Sequence, residues 1–249
     1  MQFIQTGRRS HPMSTGTLFL IPVPLGPSGV SNVLPPDVCQ QAASLQHYVA
    51  ENAKSARAFL KSLPHTLPLQ QITIVELNEH TASSELLGML EPLINGNDVG
   101  LISEAGCPAV ADPGAQLVAL AHQRGFTVRP LVGPSSILLA LMASGLSGQN
   151  FAFHGYLPAK EDQLPRKIAA LEKDSRTEKR AQIFIETPYR NHRMFDALLA
   201  HCSPHTRLCI ASDLTLTDES VRTHAISEWK KIGPPMFDRR PTIFLLQAA

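Results

Sequence analysis

Along the chain, short apolar runs give way repeatedly to clusters of Gly, Pro and Ser, and then to segments whose apolar positions recur every three or four residues. TLFLIPV (17–23) is one such run, closed by Pro24, Gly26, Pro27 and Gly29. It predicts a buried strand followed by a turn-rich loop. In AENAKSARAFLKSL (50–63), Ala53, Ala56, Phe59, Leu60 and Leu63 fall at helical spacing, and Pro64 ends the segment. QITIVEL (71–77) is β-branched and strand-like, SSELLGMLEPLING (83–96) reads as a helix stopped by Asn95-Gly96, and DVGLIS (98–103) as the next strand. After SEAGCPAVADPG (103–114), Asp112-Pro113 reads as a helix cap and first turn, Leu117, Val118, Leu120 and Ala121 as the apolar stripe, and Gly125 as the stop. FTVRPLV (126–132) predicts a strand, GPSS (133–136) a tight turn, and 137–144 a helix. Strand, loop and helix in repeated alternation predict a largely parallel sheet with helices on its faces.

LSGQN (146–150) reads as a boundary between an N-terminal α/β domain, residues 14–148, and a C-terminal one, residues 149–249, with residues 1–13 as a leader. Beyond it the pattern changes. FAFHGYLP, AQIFIE (181–186), RLCIAS (207–212) and RPTIFLLQ (240–247) predict strands, and HRMFDALLAH (192–201) an amphipathic helix.

Composition narrows the class. The 249 residues are 43% hydrophobic with a formal charge of +1, so no global charge draws the chain to nucleic acid or membrane. The halves differ: residues 1–149 sum to −2 and residues 150–249 to +3. Lys160, Arg166, Lys167, Lys179 and Arg180 cluster early in the basic half, either as a solvated helix face or as phosphate contacts. Four cysteines in this length make no disulfide framework, and the longest apolar run is too short to span a bilayer. A cytoplasmic protein is expected. HCSPHTRLC (201–209) holds two His and two Cys, but Cys202 falls at a helix end and Cys209 within a strand, so no metal site is read there.

The chemistry is expected in the loops. In an open α/β sheet, ligands bind outside the carboxyl ends of the strands. PLGPSG, SEAGCPAVADPG, GPSS, ETPYR and SDLT all fall at such ends. Gly106 and Gly133 allow close approach to main chain, Pro108 and Pro134 stiffen the turns, and Ser135 and Ser136 sit at a helix start. Glu104 needs solvent or a partner, whereas Asp112 reads as a cap and Glu186 as structural. Core packing is the default reading for Tyr48, Tyr156 and Tyr189. Neither G-x-G-x-x-G nor G-x-x-x-x-G-K-[ST] is present, which argues against a dinucleotide oxidoreductase or a P-loop enzyme.

Taken together, SEAGCPAVADPG, VGPSSILLALMASGL, FHGYLP, ETPYR and SDLT, in this order over roughly residues 17–247, resemble the tetrapyrrole methylase superfamily. Within it they resemble the branch that methylates ribosomal RNA on a ribose 2′-oxygen. The resemblance implies two α/β domains with S-adenosylmethionine in the cleft between them, usually in a homodimer. It implies that Pro24 belongs to the first glycine-rich loop, and that Ala105, Gly106, Cys107 and Val110 form a main-chain shelf for the methionine part. It places Ser135 and Ser136 beside the cofactor, and Glu186, Thr187, Leu214, Pro241 and Thr242 near the adenosine. A hydroxyl acceptor calls for a base, for which Glu104 and Glu51 are the candidates. The cofactor-side segments match the family better than the acceptor-side ones: Glu51-Asn52-Ala53-Lys54 keeps only the glutamate of the Glu-Asp-Thr-Arg stretch. The expected activity is methyl transfer, with RNA favoured over a tetrapyrrole. The alternatives are a cofactor-binding scaffold dimer and a methyltransferase for a small acceptor.

Overall fold

A computed structural model describes residues 15–65 and 68–249; the expected leader, residues 1–13, lies outside them. The chain divides into two units, one comprising the chain up to Val23 with Pro35–Val132, the other Pro24–Leu34 with Gly133–Ala249.

In the first unit, strands β1 (Thr17–Ile21), β2 (His47–Ala50), β3 (Thr73–Glu76), β4 (Val99–Ile102) and β5 (Thr127–Pro130) form one sheet in the order β3-β2-β4-β1-β5. Every pairing is parallel, as the alternation predicts. Helices α1 (Pro36–Ala43), α2 (Ala53–Lys61), α3 (Leu86–Met89), α4 (Glu91–Ile94) and α5 (Gly114–Gln123) lie between the strands in sequence. All four residues of β4 are buried, because a strand covered on both faces has no solvent side. Leu18, Val49, Leu90, Leu93, Leu101 and Leu117 share one core cluster. Gly100 makes room for other core side chains, since a Cβ on it would come within 2.5 Å of Ile21 and 2.9 Å of Tyr48.

Three sequence expectations change in this unit. The helix read over 83–96 is two short helices meeting at Leu90, because Pro92, at the start of α4, has no N–H to continue the first. The helix read from residue 50 starts at Ala53, where the Asn52 side chain accepts from Lys54 N–H (2.9 Å) and Ser55 N–H (3.2 Å) and caps it. The residues before it are strand β2, which was not read. Tyr48 of β2 is a core residue as expected, its hydroxyl donating to the Ala42 and Leu45 carbonyls; Tyr156 and Tyr189, read as core by default, are exposed.

The second unit is built on β6 (Phe151–Tyr156), β7 (Ala181–Glu186), β8 (Arg207–Ser212), β9 (Ser220–Ala225) and β10 (Thr242–Gln247), in the order β6-β7-β10-β8-β9. Only β6 and β7 are parallel; β10 runs antiparallel between β7 and β8. Its helices are α6 (Ser136–Ser144), α7 (Leu164–Glu178), α8 (Asn191–His201) and α9 (Ile226–Ile232). Alternate residues of the central strands serve two cores. Phe184, Leu208, Ile210, Phe244 and Leu246 pack with α7, α8 and α9, where Trp229 donates its indole N–H to the Leu208 carbonyl at 2.8 Å. Ile183, Cys209, Ala211, Ile243 and Leu245 pack with Ala140 and Leu141 of α6.

Candidate functional site

Parallel strands end together, so the loops after β1, β2, β3 and β4 line one edge of the first sheet. The segment after β4 is held by its own polar groups. Val23 N–H donates to the Gly106 carbonyl (2.9 Å) and Gly106 N–H to the Val23 carbonyl (3.2 Å), pinning it to the end of β1. The buried Ser103 hydroxyl donates to the same Gly106 carbonyl at 3.1 Å. Gly106 has φ +72°, a conformation that glycine adopts freely. Ala109 and Ala111 also have positive φ, 64° and 61°, at a cost of order 1 kcal/mol or more each.

Asp112 holds that strained turn. Both carboxylate oxygens accept from Ala109 N–H, at 2.9 and 3.0 Å, and one accepts from Gly114 N–H at 2.8 Å. The reading of Asp112 as the cap of α5 is corrected: the helix starts at Gly114 with Pro113 in the cap position and no side-chain cap bond, and Asp112, one residue earlier, organises the loop. Burial raises its pKa, and the amide hydrogen bonds work against that rise. The outcome is a rigid loop with Ala105 and Val110 exposed, Gly106 buried and Cys107 half-buried, its thiol pKa raised by burial.

Glu51 follows β2 and Glu104 follows β4, and these strands are neighbours in the sheet. Burial, and next the charges of Asp112 and Glu104, raise the pKa of Glu51. The Ser55 hydroxyl lies 3.2 Å from a Glu104 oxygen and 3.0 Å from the Asn52 carbonyl, so its single proton serves one of them at a time. The structure thus brings Glu51 and Glu104 to the edge that carries the Ala105–Val110 loop.

In the second unit, the antiparallel course of β10 sets its first residue beside the ends of two other strands. Thr242 pairs with Glu186 on one side and Ser212 on the other. Glu186, Thr187, Leu214, Pro241 and Thr242, scattered over more than fifty residues of sequence, therefore meet at one sheet edge. Glu186 is buried and accepts from Thr187 N–H (2.7 Å), the Thr187 hydroxyl (3.1 Å) and Arg190 (2.6 Å). The Thr242 hydroxyl lies 2.9 Å from Ser212 Oγ and 3.0 Å from the Arg240 carbonyl. Arg240 donates to Asp213 at 2.9 Å, and Asp213 and Thr215 flank Leu214 with φ of 53° and 70°.

Pro24 is half-buried, and the following Leu25 packs in the α6 core. Ser135 caps α6, its Oγ 3.5 Å from Leu138 N, and Ser136 opens the helix. Sequence reasoning missed Ser103, Asn191 and the Asp213–Arg240 pair, which only folding brings together; Arg190, four residues after Glu186, was legible as a spaced pair. Cys202 and Cys209 lie in separate core clusters, with burial raising their thiols to about 12 and about 11, so they do not face a common ion. Of the basic cluster, Arg180 is held by Asp174 at 2.6 Å.

A parallel five-stranded sheet with a main-chain shelf at its carboxyl edge, followed by a mixed sheet, is an arrangement with known relatives. The chain belongs to the tetrapyrrole methylase family: the family model described as Tetrapyrrole (Corrin/Porphyrin) Methylases matches residues 36–229. It is similar to the ribosomal RNA small subunit methyltransferase I of Vibrio cholerae, 30% identical over 227 residues, which cover 90% of this chain and 73% of that one. The protein of the same name from Micromonospora olivasterospora is 31% identical over 89% of this chain and 66% of its own length. Among solved structures, the methyltransferase CobJ superposes with a TM-score of 0.61 at 18% identity, over 95% of both chains. The cobalt precorrin-4 methyltransferase CbiF does so at 0.58 and 12%, over 93% of this chain and 94% of that one; both likenesses concern the fold. The resemblance read from the sequence is borne out, and the chain is an S-adenosylmethionine-dependent methyltransferase. Its residues suit that cofactor. The Thr215 hydroxyl, beside Leu214, is buried without a protein partner among the described residues, leaving a polar group for a ligand, and Ala105 and Val110 of the loop after β4 are exposed. Among the described residues no helix is long and apolar enough to cross a membrane.

Proposed function

We propose that this protein methylates a hydroxyl of RNA, ribosomal RNA of the small subunit first, and that it works in the cytoplasm as a homodimer. The observation that carries the reading is the position of Glu51, a carboxyl of raised pKa on the sheet edge that bears the shelf. A hydroxyl must lose its proton as it is methylated, and a base of raised pKa takes that proton more readily than an ordinary carboxylate. The relatives named as ribosomal RNA methyltransferases support RNA as the acceptor.

Bound S-adenosylmethionine supplies an electrophilic methyl group on a sulfonium. Ala105, Gly106, Cys107 and Val110 hold its methionine part, with Pro24, Ser135 and Ser136 contributing, and Glu186, Thr187, Leu214, Pro241 and Thr242 hold the adenosine side. Positive charge disperses as the methyl leaves, so a shelf of main-chain groups orients the donor without over-stabilising its ground state. Glu51 accepts the acceptor proton. The carboxylate of Glu104 nearby repels a second negative charge and so favours protonation of Glu51.

The test uses tritiated S-adenosylmethionine with ribosomal subunits from a strain lacking this protein, purified RNAs and a uroporphyrinogen-type ring. Label is expected in small-subunit RNA. Label in the tetrapyrrole instead would overturn RNA as the acceptor.

A further inference from the structure

The second unit carries a groove that the site above does not use. It has a volume of about 370 Å³ and is lined by His192, Pro235, Met236, Phe237, Asp238 and Arg240. The ring it exposes is His192, which meets the fully buried Phe237 edge-on at 4.8 Å. Its wall is Met236, whose side chain is 79% exposed although it stands in a concave, mainly apolar place. The turn beyond is fixed from below: Asn191, fully buried, donates through Nδ2 to the Phe237 and Arg240 carbonyls, both at 2.9 Å. Between them Arg239 is held at φ 55° and exposed. A groove of this volume is large enough for a nucleoside-sized group. A pre-fixed turn loses little entropy when it is filled.

The charge around the groove selects the occupant. Lys230 and Lys231, at the end of α9 five and four residues before Pro235, are exposed, as is Arg239. Among the described residues none of these three takes part in an ion pair, whereas the acids nearby are engaged. Asp238 faces His192 at 3.8 Å, and Glu228 accepts from Ala225 N–H at 3.0 Å and lies 3.6 Å from His224. Arg240 is occupied by Asp213. Three uncommitted cations within five residues in sequence of the lining of an apolar groove that exposes the His192 ring complement a chain that alternates phosphates with flat bases.

We infer that this groove takes an unpaired base of an RNA strand, with Lys230, Lys231 and Arg239 on the flanking phosphates. The inference rests on RNA being the acceptor, and places part of its binding surface on α8, α9 and the loop before β10. Only a base splayed out of its stack enters a concave site of this size, so single-stranded RNA is bound in preference to duplex.

The test measures binding directly, with the full chain and a fluorescent single-stranded RNA oligonucleotide carrying 5-iodouridine. His192→Ala and Met236→Ala remove the walls, and the double change Lys230→Glu/Lys231→Glu removes the cations; all four side chains are exposed at least in part, and the melting temperature checks folding. Each variant is expected to bind the oligonucleotide roughly tenfold more weakly while binding S-adenosylmethionine as the parent does. Photo-crosslinks are expected in the peptide holding residues 235–240. Unchanged RNA affinity in folded variants, crosslinks confined elsewhere, equal competition by duplex, or loss of S-adenosylmethionine binding in Met236→Ala would each overturn the assignment. The tritium assay separates it from the acceptor reading. Binding at the groove without label in any RNA sinks the acceptor and leaves the surface; label in RNA with unchanged variant affinities does the reverse; no RNA binding at all sinks the surface.

Discussion

Glu51 is a carboxyl that folding makes a worse acid, through burial first and through Asp112 and Glu104 next. Its raised pKa has two consequences of opposite kind. To take a proton it must be ionised, so kcat/KM should fall as pH drops through its value, above the ordinary glutamate figure of about 4.3. Glu104→Gln removes one of the negative neighbours and should move that acid limb to lower pH; a limb left in place by Glu104→Gln would argue against Glu51 as the base. For stability the sign reverses. A folded state that holds the proton more tightly than the unfolded chain gains stability as pH falls through the raised value and loses it as pH rises. Near pH 7 Glu51→Gln should therefore cost activity while leaving the melting temperature equal or higher.

At the scale of elements, the loop after β4 is the part whose conformation the function needs. Gly106 has φ +72° and bridges Val23 through both its main-chain groups. Gly145, at the end of α6, has φ +68°, and a Cβ added there would meet nothing within 4 Å. Gly106→Ala and Gly145→Ala should thus pay a similar backbone cost of about 1–2 kcal/mol. Only the first displaces the shelf. Calorimetry should show S-adenosylmethionine binding lost in Gly106→Ala and kept in Gly145→Ala; loss in both would mean that general destabilisation, not the shelf, is being read. Elements also explain where the helices stop. Pro92 divides the helix read over 83–96, and the Asn52 cap delays α2 to Ala53.

For the molecule as a whole, a net charge of +1 gives no general pull on RNA, so any attraction has to come from local groups. If Lys230, Lys231 and Arg239 each meet one phosphate, the slope of log affinity against log salt is about −2 for a single strand. A fourfold rise in salt should then weaken RNA binding roughly twentyfold. S-adenosylmethionine binding, proposed to use main chain and buried hydroxyls, should change far less. Titrations of both ligands at low and high salt check this, and RNA binding indifferent to salt would contradict it.

The alternation of apolar runs with turn residues and helical stripes was enough to predict the parallel first sheet, because each of those elements carries its own period. SEAGCPAVADPG was legible as a turn-rich loop for a similar reason: Gly and Pro state their backbone preferences locally. Strand β2 escaped because it runs, with only two residues between, into the helical pattern read from Ala50, and β9, SVRTHA, mixes apolar with polar positions throughout. The core periodicity of α7, at Leu164, Ile168 and Leu171, was present but not read. What only the tertiary structure decided is non-local. That Glu186, Thr242 and Ser212 stand in one row follows from β10 entering antiparallel between β7 and β8, a pairing that no stretch of sequence contains. That α6 packs on the second sheet follows from which apolar surface its Ala140 and Leu141 cover, a choice made by burial across about a hundred residues of separation. The raised pKa of Glu51 belongs to the same class, since it comes from burial first and then from charges about fifty and sixty residues away, and both exist only in the folded protein.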